Sequence, residues 1–276
     1  MNAIDWKKGL PVLAAIIVFF SLTLAYFQPM LEGKRLAQGD IRNFTGASRD
    51  IVEHRDAYGE EPLWSESMFS GMPAYQISVR WGGGVLPYLD QVFHGFMPVP
   101  GGFVFLYLIG MYILLRCLRV DPWIALVGAI AYGFSSYFLV ILEAGHNSKA
   151  NAVGYMPMVF GALYVLMRGD KRIGAALFAL FLTLLIYVNH VQVAYYLGML
   201  MVLFGLAEAW RAVREKRVAD FLMRGGLALV GVAFALLCNF ASLWSTYEYG
   251  KDTTRGKSEL TINPDGSAAS ANQTGG

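Results

Sequence analysis

Apolar residues occur in long blocks along most of this chain, and short polar segments separate the blocks. Each block approaches the length of about 20 residues that an α-helix needs to cross the hydrocarbon core of a bilayer. The pattern therefore predicts an all-α polytopic membrane protein with about seven transmembrane helices. The predicted spans are residues 9–28, 103–119, 122–142, 151–168, 172–189, 191–209 and 226–245.

The longest polar segment, residues 29–102, separates the first two predicted spans and is called the first loop below. Between Ile41 and Val52, apolar residues recur at helical spacing among charged ones, which predicts an amphipathic helix on the membrane surface. Residues 85–99 are rich in Leu, Phe and Tyr and predict a second short interfacial helix. Residues 70–73 (Ser-Gly-Met-Pro), between the two, are typical of a turn.

The end of the chain has a different composition from the rest. Residues 263–276 are rich in Ser, Ala, Asn and Gly, which is typical of a flexible segment. Residues 1–245 are accordingly predicted to form a transmembrane module. Residues 246–276 are predicted to be an outer loop and tail that stops before further spans.

Composition agrees with a membrane protein and excludes some other classes. The chain is 56% hydrophobic and 15% charged, whereas a soluble domain has about 25% charged residues. The net charge of +2 is small, and no basic stripe indicates a nucleic-acid partner. Cys117 and Cys238 lie in or beside apolar blocks, which argues against a disulfide framework.

The distribution of Lys and Arg predicts the orientation in the membrane. With the N-terminus inside, the short outer loops contain only Lys149, and the other basic residues near span ends fall inside. The positive-inside rule therefore places the N-terminus in the cytoplasm and the first loop outside. The inside residues are Lys7, Lys8, Arg116, Arg119, Arg168, Lys171, Arg172, Arg211, Arg214, Lys216, Arg217 and Arg224.

Polar and ionisable side chains from several separate segments gather at the predicted outer ends of the spans. Ionisable residues at such positions are candidates for function, although loops also need polar residues for solubility. Because these groups share one side of the membrane, together they favour a functional site. The candidates are Asp40, His146, Lys149, His190, Gln192 and Arg255.

Each candidate also has an ordinary structural interpretation. Asp40 stands where a helix begins, so it is either an N-cap, which position alone favours, or a general base or metal ligand. His146 and His190 near helix ends are either hydrogen-bonded structural residues or catalytic groups. Arg255 is either part of a solvated surface or a phosphate ligand. The chain has no P-loop, dinucleotide fingerprint, C-x-x-C or H-E-x-x-H motif.

Several strings, taken in chain order, carry a resemblance to a known family. They are Gln38-Gly39-Asp40, residues 63–73 (Leu-Trp-Ser-Glu-Ser-Met-Phe-Ser-Gly-Met-Pro), 144–149 (Ala-Gly-His-Asn-Ser-Lys), 189–196 (Asn-His-Val-Gln-Val-Ala-Tyr-Tyr), and 247–249 (Tyr-Glu-Tyr) ahead of Arg255-Gly256. Together they resemble the N-terminal part of the bacterial YfhO-family membrane proteins, which are related to the GT-C glycosyltransferases. The resemblance covers about Ile4 to Gly256.

The resemblance implies a glycosyltransferase of the bacterial cytoplasmic membrane. Such enzymes move a sugar from a polyprenyl-phosphate donor to a glycan, lipid or polymer acceptor on the outer face. Asp40 matches the acidic residue of their first outer loop, which deprotonates or orients the acceptor hydroxyl. Some members bind a divalent metal there, but the absence of a D-x-D pair makes a metal less expected here. Family members are longer, so we expect this chain alone to be inactive.

Under this interpretation, the remaining candidates bind substrate. Lys149 and Arg255 would contact the donor phosphate, and His146, His190 and Gln192 would orient the phosphate or the acceptor. Two alternatives remain, namely a transporter or flippase for lipid-linked sugars and a non-catalytic envelope-assembly protein. Transporters often show internal repeats and broken helices at mid-membrane, and no clear repeat is visible in this sequence.

Overall fold

The structure, a computed structural model, describes residues 6–78 and 84–253, and this part of the chain is almost entirely α-helical. This confirms the predicted all-α class. The helices are α1 (Trp6–Tyr26), α2 (Gln28–Leu31), α3 (Gly39–Ala47), α4 (Arg49–Tyr58), α5 (Leu86–Phe93), α6 (Gly101–Cys117), α7 (Pro122–Gly133), α8 (Ser136–Ala144), α9 (Asn147–Arg168), α10 (Lys171–Tyr187), α11 (Val191–Arg214), α12 (Val218–Cys238) and α13 (Phe240–Gly250).

Four of the described helices, α1, α9, α11 and α12, are long and apolar enough to cross a membrane. A fifth span results if α7 and α8 count as one, although they are bent by 43° relative to each other. Both α6 and α10 have only 17 residues. The structure therefore supports four to five candidate spans, and the number seven stays a prediction.

The predicted span 226–245 differs from the helix at both of its ends. The helix α12 begins earlier than predicted, at Val218. Its first turns contain the charged residues Asp220 and Arg224, which pair with each other at 2.7 Å, so the apolar block starts only after them. It ends at Cys238, and α13 begins at Phe240 after the buried Asn239. Hydrophobicity marked only the apolar part of this helix and did not show its break.

The core of the bundle forms around α9, which packs against α6, α8, α10 and α11. Its crossing with α6 brings the two backbones together. A Cβ atom at Gly110 would lie 2.4 Å from the carbonyl oxygen of Gly154, and one at Gly154 would lie 2.5 Å from the Cγ atom of Leu106. Small residues permit such close approach of helices in membranes. This packing fixes α9, which carries the candidate Lys149 in its first turn and the candidate His146 at its N-cap position.

The described part of the first loop, which lacks residues 79–83, contains three helices of at least eight residues and a small hairpin. The helices α3, α4 and α5 occupy the two stretches where helices were predicted, while their position on a membrane surface stays a prediction. The strands β1 (Trp64–Ser65) and β2 (Met72–Pro73) pair antiparallel across the predicted turn.

One carboxylate fastens the hairpin to α4. The Asp50 side chain accepts hydrogen bonds from the hydroxyl groups of Ser65 at 2.6 Å and Ser67 at 3.0 Å. Burial of Asp50 opposes its ionisation. These two bonds, together with hydrogen bonds from the backbone of Ile51 and Ser67, outweigh that effect, so the pKa of Asp50 is lowered.

Contacts divide the chain into two compact units, residues 1–235 and 236–276, and the division falls inside α12. The first unit contains α1 to α11 and most of α12. In the described part of the second unit, the Phe240 ring stacks on Trp244 with 5.6 Å between centroids. The predicted end of the transmembrane module, residue 245, lies later in the chain than this division.

Candidate functional site

The candidate residues of the first unit lie at the N-terminal end of α9, called the Asp40 end below. Since α9 has 22 residues and is about 33 Å long, its other end, at Arg168, is on the opposite side of the bundle. That side is called the arginine end.

Asp40 is not the N-cap of α3. Gln38 holds the cap position with an extended backbone, and its side chain makes no capping bond. Asp40 lies inside the first turn, where the helix dipole favours a carboxylate. The interpretation of Asp40 as a cap is therefore wrong, and its carboxylate is available for another contact.

That contact is with His146. The Asp40 Oδ2 atom lies 2.9 Å from the Nδ1 atom of His146, and both side chains are about half exposed, at 52%. A carboxylate can only accept a hydrogen bond, so the contact requires that Nδ1–H donates to Asp40. The Nε2 atom of a neutral His146 is then an open acceptor, and the pair has the geometry of an oriented general base.

The turn between α8 and α9 explains why these two residues meet. Gly145 has a φ of 97°, in the left-handed region, and a Cβ atom there would lie 3.1 Å from the Gln38 Cβ and 3.2 Å from the Asp40 Cβ. The start of α3 therefore rests directly on this glycine. His146 holds the cap position of α9 but makes no capping bond, which leaves its ring for Asp40.

Gln38 joins the two segments and was missed as a site residue from sequence. Its side chain is buried, and its Nε2 atom donates to the Leu142 carbonyl at 2.6 Å and to Asn147 Oδ1 at 3.0 Å. Both amide hydrogens are thus used. The signal that could have identified it is its place in the Gln-Gly-Asp string, two residues ahead of the carboxylate.

Three further candidates line a cavity of about 230 Å³ at the same end. Lys149, His190 and Gln192 share its wall with apolar and aromatic side chains. The Lys149 ammonium lies 5.1 Å from the centre of the Tyr137 ring, and Gln192 Nε2 donates to the Tyr196 hydroxyl at 3.0 Å. The structure therefore brings together residues from two separate turns, as the sequence pattern had suggested.

His190 is held in its neutral form. Burial lowers its pKa, a backbone hydrogen bond raises it by less, and the positive charge of Lys149 lowers it again. Its Nδ1 atom accepts a hydrogen bond from the Val193 amide at 3.4 Å, so the remaining proton is on Nε2. His190 therefore offers a neutral N–H donor in the wall of the cavity.

The arrangement supplies two chemical capacities. Asp40 with His146 can accept a proton. Lys149, the His190 N–H donor and the N-termini of α9 and α11 provide positive potential that attracts an anion such as a phosphate.

An apolar groove lies beside this site and was not predicted at these residues. It has a volume of about 510 Å³, and its lining includes Lys34, Arg35, Leu142 and Glu143. Lys34 pairs with Glu32 at 2.7 Å. In the sequence, the adjacent basic residues Lys34 and Arg35, shortly after the end of α2, were the signal that could have predicted this groove.

A buried polar network close to the same end was also missed. The Asp90 Oδ1 atom accepts hydrogen bonds from the Tyr155 hydroxyl at 2.7 Å and from Asn151 at 3.3 Å, and His94 Nε2 lies 3.0 Å from Asn151 Oδ1. The network joins α5 to α9 and satisfies its own polar groups. We assign it to holding the first loop on the bundle. This network was not predictable from the sequence, because Asp90 and His94 lie in a stretch whose pattern predicts an interfacial helix.

Arg255, the remaining candidate, lies outside the described residues. Within residues 6–78 and 84–253, no group of three or more His, Cys, Asp or Glu side chains is placed to hold a metal ion. The chain matches no protein-family model, no curated protein and no solved structure.

Proposed function

We propose that this protein is a GT-C-like membrane glycosyltransferase. It would move a sugar from a polyprenyl-phosphate donor to an envelope acceptor on the outer face of the bacterial cytoplasmic membrane. The observation that carries the proposal is the contact between Asp40 and His146, beside the cation and the N–H donor of the neighbouring cavity. The residue strings that resemble the YfhO family also support it.

The donor would bind with its lipid chain in the apolar groove beside the site. Lys34 and Arg35 line that groove, and Lys149 and His190 line the cavity between α9 and α11. A phosphate leaving group gains negative charge as the bond to the sugar breaks. Nearby cations and N–H donors stabilise that charge in the transition state.

The acceptor would be activated by the Asp40–His146 pair. The acceptor hydroxyl gives its proton to the pair, and its oxygen forms a bond to the anomeric carbon. The bond from that carbon to the phosphate oxygen breaks, and the electron pair leaves with the phosphate. Direct displacement of this kind inverts the anomeric carbon, a step taken here by analogy with the superfamily.

A transporter for lipid-linked sugars is the second candidate function. It would use the same cations and groove to bind the donor without breaking a bond. The bend of 43° between α7 and α8 favours it, because broken helices are frequent in transporters. In such a transporter the Asp40–His146 pair would carry a coupled proton, so the pair suits both functions. The residue strings that resemble the YfhO family make the enzyme the better-supported proposal.

Sugar transfer by membranes that contain the full-length protein tests the proposal. With a polyprenyl-phosphate sugar donor, Asp40→Asn should lower transfer by at least about 100-fold, the usual contribution of a general base. His146→Gln should also lower the rate and should change its dependence on pH. The matched control is Asp56→Asn, which removes an exposed carboxylate from α4 in the same loop.

Equal transfer by the wild type and Asp40→Asn would overturn the catalytic assignment. Donor movement across vesicles at the wild-type rate in Asp40→Asn, with no transfer by either protein, would favour the transporter instead.

A further inference from the structure

A large cavity lies at the arginine end of the first unit, far from Asp40. Its volume is about 800 Å³, and four arginines line it, namely Arg116, Arg119, Arg168 and Arg211. They come from the end of α6, the turn after it, the end of α9 and the last turns of α11. Residues almost 100 positions apart in sequence thus direct positive charge toward one space.

The carboxylates nearby do not neutralise this charge. Among the residues that the structure describes, no acidic side chain lines the cavity. Glu208, which is 2% exposed, accepts hydrogen bonds from Arg168 and lies 3.8 Å from Arg211 and 3.7 Å from Arg217. Glu215 pairs with Arg211 and Arg217. Asp220 also lies 3.7 Å from Arg217. Among the described residues, three carboxylates therefore face the four lining arginines and Arg217, and the cluster keeps a net positive charge.

Arg119 is the clearest free donor of the four. Its guanidinium has no hydrogen-bond or ion-pair partner among the described residues, and its φ of 64° shows that the backbone turns sharply there. Arg116 donates to the Val120 carbonyl and keeps its other N–H groups. Two guanidinium groups close together with unused donors are suited to a tetrahedral oxyanion.

The opposite wall of the cavity is apolar. Val12 and Ile16 of α1 face it together with Ile109 and Ile113 of α6. Tyr112 also lines it, and the buried Tyr112 hydroxyl has no hydrogen-bond partner within the described part of the chain. A buried hydroxyl without a partner is costly. This hydroxyl has almost no surface open to the cavity, so Tyr112 contributes its ring to the apolar wall.

We propose that this cavity binds the phosphate headgroup of an anionic membrane lipid. The phosphate contacts Arg116 and Arg119, with Arg168 and Arg211 behind it, and an acyl chain lies along the wall formed by α1 and α6. Basic pockets between transmembrane helices bind such headgroups in other membrane proteins. The proposal is independent of the glycosyltransferase function, because it concerns the opposite end of the bundle.

The role of these arginines in setting the membrane orientation does not by itself explain why they converge on one cavity. Arginines that only set topology need to be near the ends of spans and are solvated there. Here they converge on a cavity that has one apolar wall. A soluble phosphate would satisfy the arginines equally well, but it would leave that wall without a partner.

Lipid retention by the full-length protein tests the proposal. The protein is purified in detergent with equal amounts of phosphatidylglycerol and phosphatidylcholine, and bound lipid is counted by native mass spectrometry. We expect phosphatidylglycerol to be enriched at least fivefold, and we expect Arg116→Gln with Arg119→Gln to remove that enrichment. The matched control is Arg214→Gln, since Arg214 is exposed at the same end but lies over the Trp210 ring and outside the cavity lining.

Several outcomes would overturn the proposal. They are equal retention of the two lipids by the wild type, unchanged enrichment in the double variant, and an equal loss in Arg214→Gln. Displacement of the lipid signal by millimolar glycerol phosphate, with no preference between lipids, would assign the site to a soluble phosphate instead. Should the double variant fail to fold, Ile16→Trp fills the apolar wall without changing charge, and it should lower the enrichment as well.

Discussion

His190 allows the proton chemistry of the site to be tested apart from Asp40. Its pKa is lowered by burial and by the positive charge of Lys149, so the folded protein binds this proton less readily than the unfolded chain does. The stability that neutral His190 contributes is complete above about pH 6.5, the unfolded value. It is lost as the pH falls through the lowered folded value.

We therefore expect the melting temperature of the wild type to fall as the pH drops below about 6.5. In His190→Gln this fall should be smaller. The free energy of unfolding should lose less over the same pH change, by about 1.4 kcal/mol for each unit by which the pKa of His190 is lowered in the wild type. His54→Gln in α4 removes a histidine away from the cavity and should keep the wild-type profile. Identical profiles for His190→Gln and the wild type would contradict the assignment.

The site residues show what a sequence can predict at the scale of single side chains. Asp40, His146, Lys149, His190 and Gln192 were selected from sequence because they fall at the same ends of apolar blocks, and the structure brings them to one end of the bundle. Their contacts were not predictable, since a distance of 2.9 Å between Asp40 and His146 depends on how distant helices pack. The role of Gln38 depends on the same packing.

At the scale of an element, the hairpin of the first loop depends on one carboxylate. Asp50→Ala would remove the bonds to Ser65 and Ser67, and a hydrogen bond to a charged group contributes about 1.5–3 kcal/mol. Amide exchange between residues 64 and 73 should become at least about tenfold faster, which corresponds to about 1.4 kcal/mol.

Asp56→Ala, an exposed carboxylate of the same helix, should leave that exchange unchanged. Because the pKa of Asp50 is lowered, the stability that its carboxylate contributes is present above the unfolded value of about pH 4 and is lost as the pH falls through the lowered one. Unchanged exchange in Asp50→Ala would show that the hairpin is held by other contacts.

Helices were predictable as elements, but their breaks were not. The block 122–142 reads as one span, yet the chain bends after Gly133, and α8 begins at Ser136. The block 226–245 likewise hides the end of α12. The breaks fall at Phe134 and Ser135 in the first block and at Asn239 in the second. One or two such residues within a long apolar block do not interrupt its hydrophobicity, so the pattern does not reveal that the backbone leaves the helix.

For the whole molecule, the distribution of basic residues predicts the orientation. In a background with Cys117→Ala and Cys238→Ala, single cysteines at Glu60→Cys and Arg214→Cys place one label at each end of the first unit, both at exposed positions. An impermeant maleimide should label the first in intact cells and the second only after permeabilisation. The reverse result would place the Asp40 end in the cytoplasm and would contradict the proposed outer-face chemistry.

The hydrogen bond from Gln38 to Asn147 has a consequence for the order of synthesis, because it joins residues 109 positions apart. A ribosome adds about 5–20 residues per second, so the Gln-Gly-Asp segment leaves it roughly 5 to 20 seconds before its partner does. During that interval α3 has no turn of α8 and α9 to rest on. The proton-accepting pair therefore forms only once α9 has entered the bundle, so the site cannot assemble before its central helix is inserted.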